Sequence, residues 1–246
     1  MIDMIRKYAQ FRALLSDMDV KTDVPLKELT SFRIGGPAAF VVRPKTESEL
    51  CRALSAAEEA ELPLRILGNG TNVLAPDAGF PGLVLRLDAP FFPLLIDGCT
   101  VHAAAGESLA RAAHASVAAG LSGMEGLEGI PGTIGGACAM NAGAFGSEMK
   151  PILKRVRVYR GGEISDVTVR DEDLGHRRSV FAAPSAIVLR AELVLAPDDG
   201  HAAERTAEFS RRRREKQPLT LPSAGSVFKR PAGHFAGGLI EQCGLK

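Results

Sequence analysis

Cysteine is sparse and scattered in this chain. Cys51, Cys99, Cys138 and Cys243 form no CxxC pair, so neither a metal site nor a disulfide framework is implied. Buried thiols in a reducing compartment account for them. Long apolar runs are missing as well. No stretch approaches the ~18 consecutive apolar residues that a membrane span requires. Polar residues keep interrupting the first segment, Met1-Ile2-Asp3-Met4-Ile5-Arg6-Lys7, which speaks against a secretory signal. A cytoplasmic protein without membrane insertion is expected. Net charge is almost absent: 30 Lys and Arg face 29 Asp and Glu, giving +1. No global field therefore draws the protein to nucleic acid or to an anionic membrane, and an anionic ligand must be held by local chemistry. Internal repeats and low-complexity linkers are absent too.

What remains is ordinary globular material. The 246 residues are 46% hydrophobic and 24% charged, enough for one large domain or two ordinary ones. Residues 2–18 carry Ile2, Ile5, Ala9, Leu14, Leu15 and Met18 at helical spacing. Ala39 to Val42 reads as a short buried strand. Thr46-Glu47-Ser48-Glu49 is a capping box opening a helix that runs to about Ala60. Strands are expected at 64–67, 83–87 and 100–104, and Ser108 caps a helix ending at Gly120. A glycine-dense tract fills 120–146. Residues 152–159 and 163–169 flank Gly161-Gly162 as a β-hairpin. Residues 186–195 form an apolar strand, Ala202 to Gln217 a charged helix stopped by Pro218, and Gly237 starts a last helix. Short turns between several strands favour α+β over a doubly wound parallel sheet. The composition shift at Pro197-Asp198-Asp199-Gly200 divides the chain into residues 1–197, with the helix of 1–20 as an extension, and residues 198–246.

Two segments could cradle phosphates. The first is Gly68-Asn69-Gly70-Thr71-Asn72-Val73, directly after a strand. The second is Gly129-Ile130-Pro131-Gly132-Thr133-Ile134-Gly135-Gly136-Ala137, followed by Asn141-Ala142-Gly143-Ala144-Phe145-Gly146. Glycine lets backbone approach a ligand closely, so successive amides can converge on an anion, and Thr71, Asn72, Thr133 and Asn141 add side-chain donors. Tight turns and close packing are the other reading of the same glycines. Neither loop is a Walker motif or a GxGxxG fingerprint in its strand-turn-helix setting. Together they favour a cofactor containing a pyrophosphate.

Four motifs occur in order: Ser31-Phe32-Arg33-Ile34-Gly35-Gly36-Pro37, then Leu67 to Leu74, then Gly129 to Ala137, then Asn141 to Ala144. Ser223-Ala224-Gly225-Ser226-Val227-Phe228-Lys229-Arg230-Pro231 follows. From about Leu29 onward the chain resembles the MurB family, the enolpyruvoyl reductases of peptidoglycan synthesis. The resemblance implies a vanillyl-alcohol-oxidase-type (PCMH-type) FAD-binding α+β domain over 1–197 and a smaller α+β substrate domain begun by 198–246. It implies FAD held by Gly68, Asn69, Gly70, Thr71, Asn72, Val73, Gly129, Pro131, Gly132, Thr133, Gly135, Gly136, Ala137, Asn141 and Gly143. Neither glycine loop contains the His that carries flavin covalently in fold relatives, so dissociable FAD is expected.

The implied reaction takes a hydride from NADPH and delivers it to the enolpyruvyl group of a UDP-sugar, UDP-N-acetylglucosamine enolpyruvate. Negative charge then develops at C2 beside a carboxylate, which calls for a cation and a proton donor. The resemblance points to Arg177 as the cation, in Gly175-His176-Arg177-Arg178-Ser179, with His176 where the family usually has Tyr. A guanidinium suits a carboxylate because it can donate two parallel hydrogen bonds; by local sequence alone, Arg177 reads as a surface ion pair. It points to Ser226 as the proton donor; turn capping is the alternative for Ser226 and the preferred reading of Ser223. Lys229 and Arg230 would anchor the UDP diphosphate, or form a solvated basic patch. Arg211-Arg212-Arg213-Arg214 wraps around a helix end without aromatic interleaving. It reads as a solvated face with one Arg reaching substrate, not as a nucleic-acid surface.

The resemblance also implies a family segment past Lys246, with a Glu that polarises the substrate, and a Lys where Gly238 stands. The second functional reading is therefore an FAD-binding module without turnover, and a third is an unrelated FAD oxidase of the same fold. On the incomplete-substrate-domain reading, the segment after Pro218 is expected to be poorly anchored, with Ser226 away from the flavin. A monomer is expected.

Overall fold

The computed structural model describes residues 2–183, 185–228, 231 and 233–245. A first sheet contains β1 (Val20–Pro25), β2 (Pro37–Val42), β3 (Leu64–Leu67) and β4 (Phe80–Arg86), in the order β1-β2-β4-β3. β1 runs antiparallel to β2, while β2 and β3 both run parallel to β4. The crossover between β2 and β3 is α2 (Glu47–Glu59), which starts where the capping residues predict. Thr46 Oγ1 accepts from the Glu49 amide at 3.1 Å. The Glu49 carboxylate reaches back to the Lys45 amide at 2.7 Å, one residue earlier than the reciprocal box. α2 buries Leu50, Ala53, Leu54 and Ala57 on one stripe against Phe40, Leu83 and Leu85. α1 (Ile2–Leu14) adds Phe11, and Leu15 follows it into the same cluster.

The second sheet contains β5 (Leu95–Asp97), β6 (Thr100–Ala104), β7 (Leu153–Arg160), β8 (Glu163–Thr168) and β9 (Ala186–Val194). Its order is β8-β7-β9-β6-β5, with every neighbouring pair antiparallel. α3 (Leu109–Ala118), α4 (Ile134–Met140) and the short α5 (Met149–Ile152) contribute to the core on this sheet, with Leu109, Ile134, Cys138 and Met149 fully buried among Val156, Val158 and Leu193. Ser108 Oγ caps α3 through the Arg111 amide at 3.3 Å. β9 sends Ile187 and Leu189 into the α2 cluster and Val188, Ala191 and Leu193 into the second-sheet cluster. The pairing of β9 with β7 shifts register between Arg157 and Val158. That bulge switches the odd-numbered residues from the α2 cluster, at 187 and 189, to the second-sheet cluster, at 191 and 193.

The chain is thus a mixed α+β structure, as its short turns predict. Four of these elements, β1, β5, α4 and α5, were not expected, and two of them were hidden for a clear physical reason. One is β1; its burial pattern shows no apolar alternation, because it is an edge strand with three exposed residues. The other is α4, hidden inside the glycine tract because Gly135 and Gly136 occupy its first turn. Beyond β9 come α6 (Ala202–Lys216) and α7 (Ala236–Gln242). α6 lies against residues 122–129, tied by Arg205 to Glu125 and by Ser210 to Glu128. No helix among the described residues is long and apolar enough to cross a membrane.

Candidate cofactor and substrate site

The two glycine loops lie side by side at the ends of the two sheets. Asn69 Nδ2 donates to the Pro131 carbonyl at 3.2 Å. A Cβ at Gly68 would stand 2.6 Å from Thr133 Oγ1. A Cβ at Gly132 would stand 3.9 Å from both Ile130 Cγ2 and Thr71 Oγ1, in the gap between the loops. The loops therefore form one cleft.

Their amides are used differently. Among the described residues, the backbone amides of Asn69, Gly70, Thr71, Asn72 and Val73 have no acceptor, so this loop offers a run of donors. In the second loop, Ile134 N donates to Glu107 O and Gly135 N to Ala105 O, each at 2.9 Å. Gly136 N donates to Thr133 Oγ1 at 3.3 Å. These three amides start α4, and the first two fasten it to the turn after β6. Donors on the second side of the cleft come from residues before Ile134. A diphosphate suits such a cradle of uncommitted amides.

Several glycines singled out for cofactor contact also pack against protein on the side that a side chain would occupy. Gly70, at φ +67°, packs its α-carbon on Leu29 and Thr30, where a side chain would overlap the Leu29 carbonyl. Gly135 packs against Ala105, with a Cβ there at 2.9 Å from the Ala105 Cβ. Gly143 faces Glu148, and Gly129 faces the Arg213 guanidinium. Ala137 is buried in the second-sheet core. Asn141 is buried and holds a left-handed helix cap. Its Nδ2 donates to Gly175 O at 3.0 Å, and its Oδ1 accepts from Lys150 N at 2.9 Å. Asn141 thereby fastens the turn that carries Arg177.

Arg177 sits exposed at the tip of the hairpin formed by 174–175 and 178–179, at φ +55°. Its Nη2 donates to Asn72 Oδ1 at 3.4 Å, which places the guanidinium at the end of the first glycine loop. The Ser226 segment arrives at the same point. A Cβ at Gly225 would lie 3.8 Å from Asn72 Oδ1 and 3.9 Å from Thr71 O. Ser223 N donates to Ser31 O at 3.2 Å, and Ser31 Oγ donates to Ser223 O at 2.6 Å. Of the segment expected to be loosely anchored, Ser223 is fastened: its backbone pairing with Ser31, which has no signature in local sequence, brings the chain before Ser226 onto the first loop, while Leu219, Leu221, Val227 and Phe228 stay exposed. Lys229 and Arg230 lie outside the described residues.

The Arg run divides. Arg211 is taken by Glu208 and Glu215. Arg212 and Arg213 lie over the Phe145 ring, 5.3 and 5.8 Å from its centroid, and Phe145 stacks on Phe209 at 4.9 Å. Arg213 Nε is buried without a hydrogen-bond partner among the described residues. Burial pushes the Arg213 guanidinium below its ordinary range, against the opposing charge of Glu128. An unpartnered cationic donor beside Gly129 is costly unless an anion or a polar acceptor engages it. The donor set of the cleft thus fits a cofactor bearing phosphates and a polar ring.

An α+β body with a glycine-loop cleft lined by amides and a desolvated Arg is the class of FAD-binding oxidoreductases, and residues 38–165 match the family of FAD binding domains. Residues 217–246 match the family described as UDP-N-acetylenolpyruvoylglucosamine reductase, C-terminal domain. The chain is 40% identical over its whole length to the UDP-N-acetylenolpyruvoylglucosamine reductase of Alkaliphilus oremlandii, covering 81% of that protein. It is 42% identical over 97% of its length to that of Clostridioides difficile, covering 79%. The crystal structure of the Thermus caldophilus reductase (MurB) superimposes with a TM-score of 0.79 at 36% identity, over 93% of this chain and 81% of that one. Cholesterol oxidase from Brevibacterium sterolicum, at TM-score 0.52 and 16% identity, shares the fold. The chain belongs to the UDP-N-acetylenolpyruvoylglucosamine reductase family.

Proposed function

We propose that the protein binds FAD non-covalently in the cleft between the two glycine loops. With NADPH as donor, it reduces the enolpyruvyl group of UDP-N-acetylglucosamine enolpyruvate, giving UDP-N-acetylmuramate for peptidoglycan synthesis. The observation that carries this reading is the convergence on Asn72: the first glycine loop, the Arg177 guanidinium and the Gly225 α-carbon, one residue before Ser226, meet there. A cationic group and a hydroxyl beside one cofactor cleft are what addition of a hydride and a proton across an enol ether requires.

Bound FAD supplies hydride transfer; the chain's own residues supply position and charge. The free amides of 69–73, with Gly132 and Thr133 opposite, would hold the pyrophosphate, and the unpartnered Arg213 Nε would donate to a polar or anionic group of the cofactor. Arg177 pairs with the substrate carboxylate and stabilises the negative charge that spreads into it from C2. Ser226 gives the proton to C2. Lys229 and Arg230 hold the diphosphate of the UDP-sugar. A cytoplasmic, monomeric enzyme is part of the same reading.

Ser226→Ala tests the assignment. Flavin bleaching by NADPH under anaerobic conditions is expected to keep its rate. Reoxidation by the enolpyruvyl substrate is expected to slow by about 10²–10⁴-fold, the usual contribution of a positioned acid. Equal slowing of both half-reactions contradicts a role confined to substrate protonation.

A further inference from the structure

Ser31 lies in the motif of residues 31–37, to which neither glycine loop nor the reaction chemistry gives a task. The structure puts it on the back of the first glycine loop. Ser31 N donates to Gly70 O at 3.1 Å, and the Ser31 carbonyl accepts from Ser223 N at 3.2 Å. Its hydroxyl lies 2.6 Å from Ser223 O and 3.3 Å from Gly70 O. A serine hydroxyl has one proton to donate, and the shorter contact takes it. Gly70 O already receives the Ser31 amide. Ser31 therefore pairs on one side with the loop proposed to hold the cofactor phosphates, and on the other, 192 residues along the chain, with the segment carrying Ser226.

Ser31 is itself held firmly. Leu26 N donates to Gly36 O at 2.9 Å, and Gly36 N donates to Pro76 O at 2.9 Å. Arg86 Nη1 donates to Leu29 O at 2.6 Å, and Arg86 is paired with Asp88. Residues 26–36 are thus pinned to the end of the first sheet. Gly70 closes on Leu29 and Thr30 without room for a side chain. From Ser223 the chain turns sharply: Ser223 Oγ accepts from Gly225 N at 3.1 Å, and Gly225 adopts φ +82°. That turn sets Gly225 beside Asn72, where a Cβ would lie 3.8 Å from the Oδ1 that accepts from Arg177, with Ser226 the next residue. Ser226 has no other backbone anchor of this kind within the described residues from 218 to 228.

We propose that Ser31 is a positioning residue: it clasps the Ser223–Ser226 turn to the first glycine loop, so that the proton donor is registered against the cofactor and Arg177. This rests on the reductase reading for the role of Ser226, while the clasp itself does not. The chemistry of the clasp is a hydroxyl and two backbone bonds, so Ser31→Thr keeps it and Ser31→Ala removes its shortest bond.

The test measures hydrogen exchange over residues 219–228 and both anaerobic half-reactions in the wild type, Ser31→Ala and Ser31→Thr. FAD is expected to raise protection of residues 219–228 in the wild type and in Ser31→Thr. Ser31→Ala is expected to lose that rise. Bleaching by NADPH should keep its rate in all three. Reoxidation by the enolpyruvyl substrate should slow by about 10–100-fold in Ser31→Ala, since a misplacement near 1 Å can cost about 10²-fold, and Ser31→Thr should restore it. Unchanged exchange in Ser31→Ala overturns the clasp. Faster exchange with unchanged reoxidation overturns the positioning role. A wild type that binds FAD but shows no substrate-dependent reoxidation rejects the reductase reading instead, and the exchange comparison still decides the clasp.

Discussion

At the scale of single residues, glycines in one motif do unlike work. Gly70 and Gly132 both sit in loops proposed to hold the cofactor, yet a side chain at Gly70 meets Leu29 and Thr30 while one at Gly132 enters the cleft itself. Gly70→Val strains a left-handed backbone and overlaps a carbonyl, so it is expected to lower the melting temperature and the yield of folded protein. Gly132→Val meets only contacts of 3.9 Å at its first carbon and is expected to leave the melting temperature of the FAD-free protein nearly unchanged. Its FAD affinity is expected to fall by at least tenfold, about 1.4 kcal/mol, in a flavin fluorescence titration. Full FAD affinity in Gly132→Val contradicts the placement of the cofactor between the loops. The motif spacing in the sequence located the cleft but could not sort its glycines, because what Gly70, Gly129 and Gly135 touch lies 30 to 84 positions away. Cysteine follows the same logic. Cys138 lies fully buried in the second-sheet core, and burial pushes its thiol up to about 12, so it stays protonated and unreactive at neutral pH.

At the scale of elements, α6 depends on a small ionic cluster at its start. Arg205 pairs with Glu125 at 2.6 Å and with Asp199 at 2.8 Å. Glu125 also accepts from Ser122 Oγ and Gly123 N. Burial would raise the Glu125 carboxyl, but Arg205, the local amides and the Ser122 hydroxyl outweigh it and hold it below its ordinary value. Asp199 is held down to about 2, chiefly by Arg205 and then by the His201 amide. A carboxylate whose folded pKa is depressed stabilises the fold above its unfolded pKa near 4, and loses that contribution as pH falls through the folded value. Stability should therefore be flat from pH 7 to about 5 with respect to this cluster and decline between about 4 and 2.

Arg205→Ala leaves the Glu125 carboxylate buried with two of its partners. It is expected to cost about 1–3 kcal/mol in urea unfolding at pH 7. The loss should shrink toward pH 4, as Glu125 takes up a proton more readily in the variant. An unchanged unfolding midpoint at pH 7 would show that α6 is not held through this pair. The charged helix and its end at Pro218 were plain in the sequence. Its docking was not, since Glu125 sits 80 residues away in a tract where glycine density masks other signals.

At the scale of the whole molecule, the fold brings together pieces that the chain keeps far apart. Strands 64–67, 100–104 and 186–194 and the hairpin around Gly161-Gly162 were readable from apolar alternation and turn residues. The family motifs, in their order, carried the cofactor and the reaction class. Less readable was the way residues 26–36, 68–73, 174–179 and 222–226 assemble at one corner. That corner is made by a few hydrogen bonds across 39, 105 and 192 positions, and such pairings leave no periodic trace in sequence. It is also where Arg177 lies and the chain leads into Ser226, so the chemistry proposed for them falls in the part of the structure that local patterns describe least.

The most direct test of this account is a single-turnover reoxidation. The FAD-loaded protein is reduced with one equivalent of NADPH without oxygen, then mixed with UDP-N-acetylglucosamine enolpyruvate or with UDP-N-acetylglucosamine lacking the enolpyruvyl group. The account predicts return of the oxidised flavin absorbance with the first compound, at a rate that saturates with its concentration, and no return with the second. Reduced flavin that persists with both, and is reoxidised only on admitting air, would contradict it.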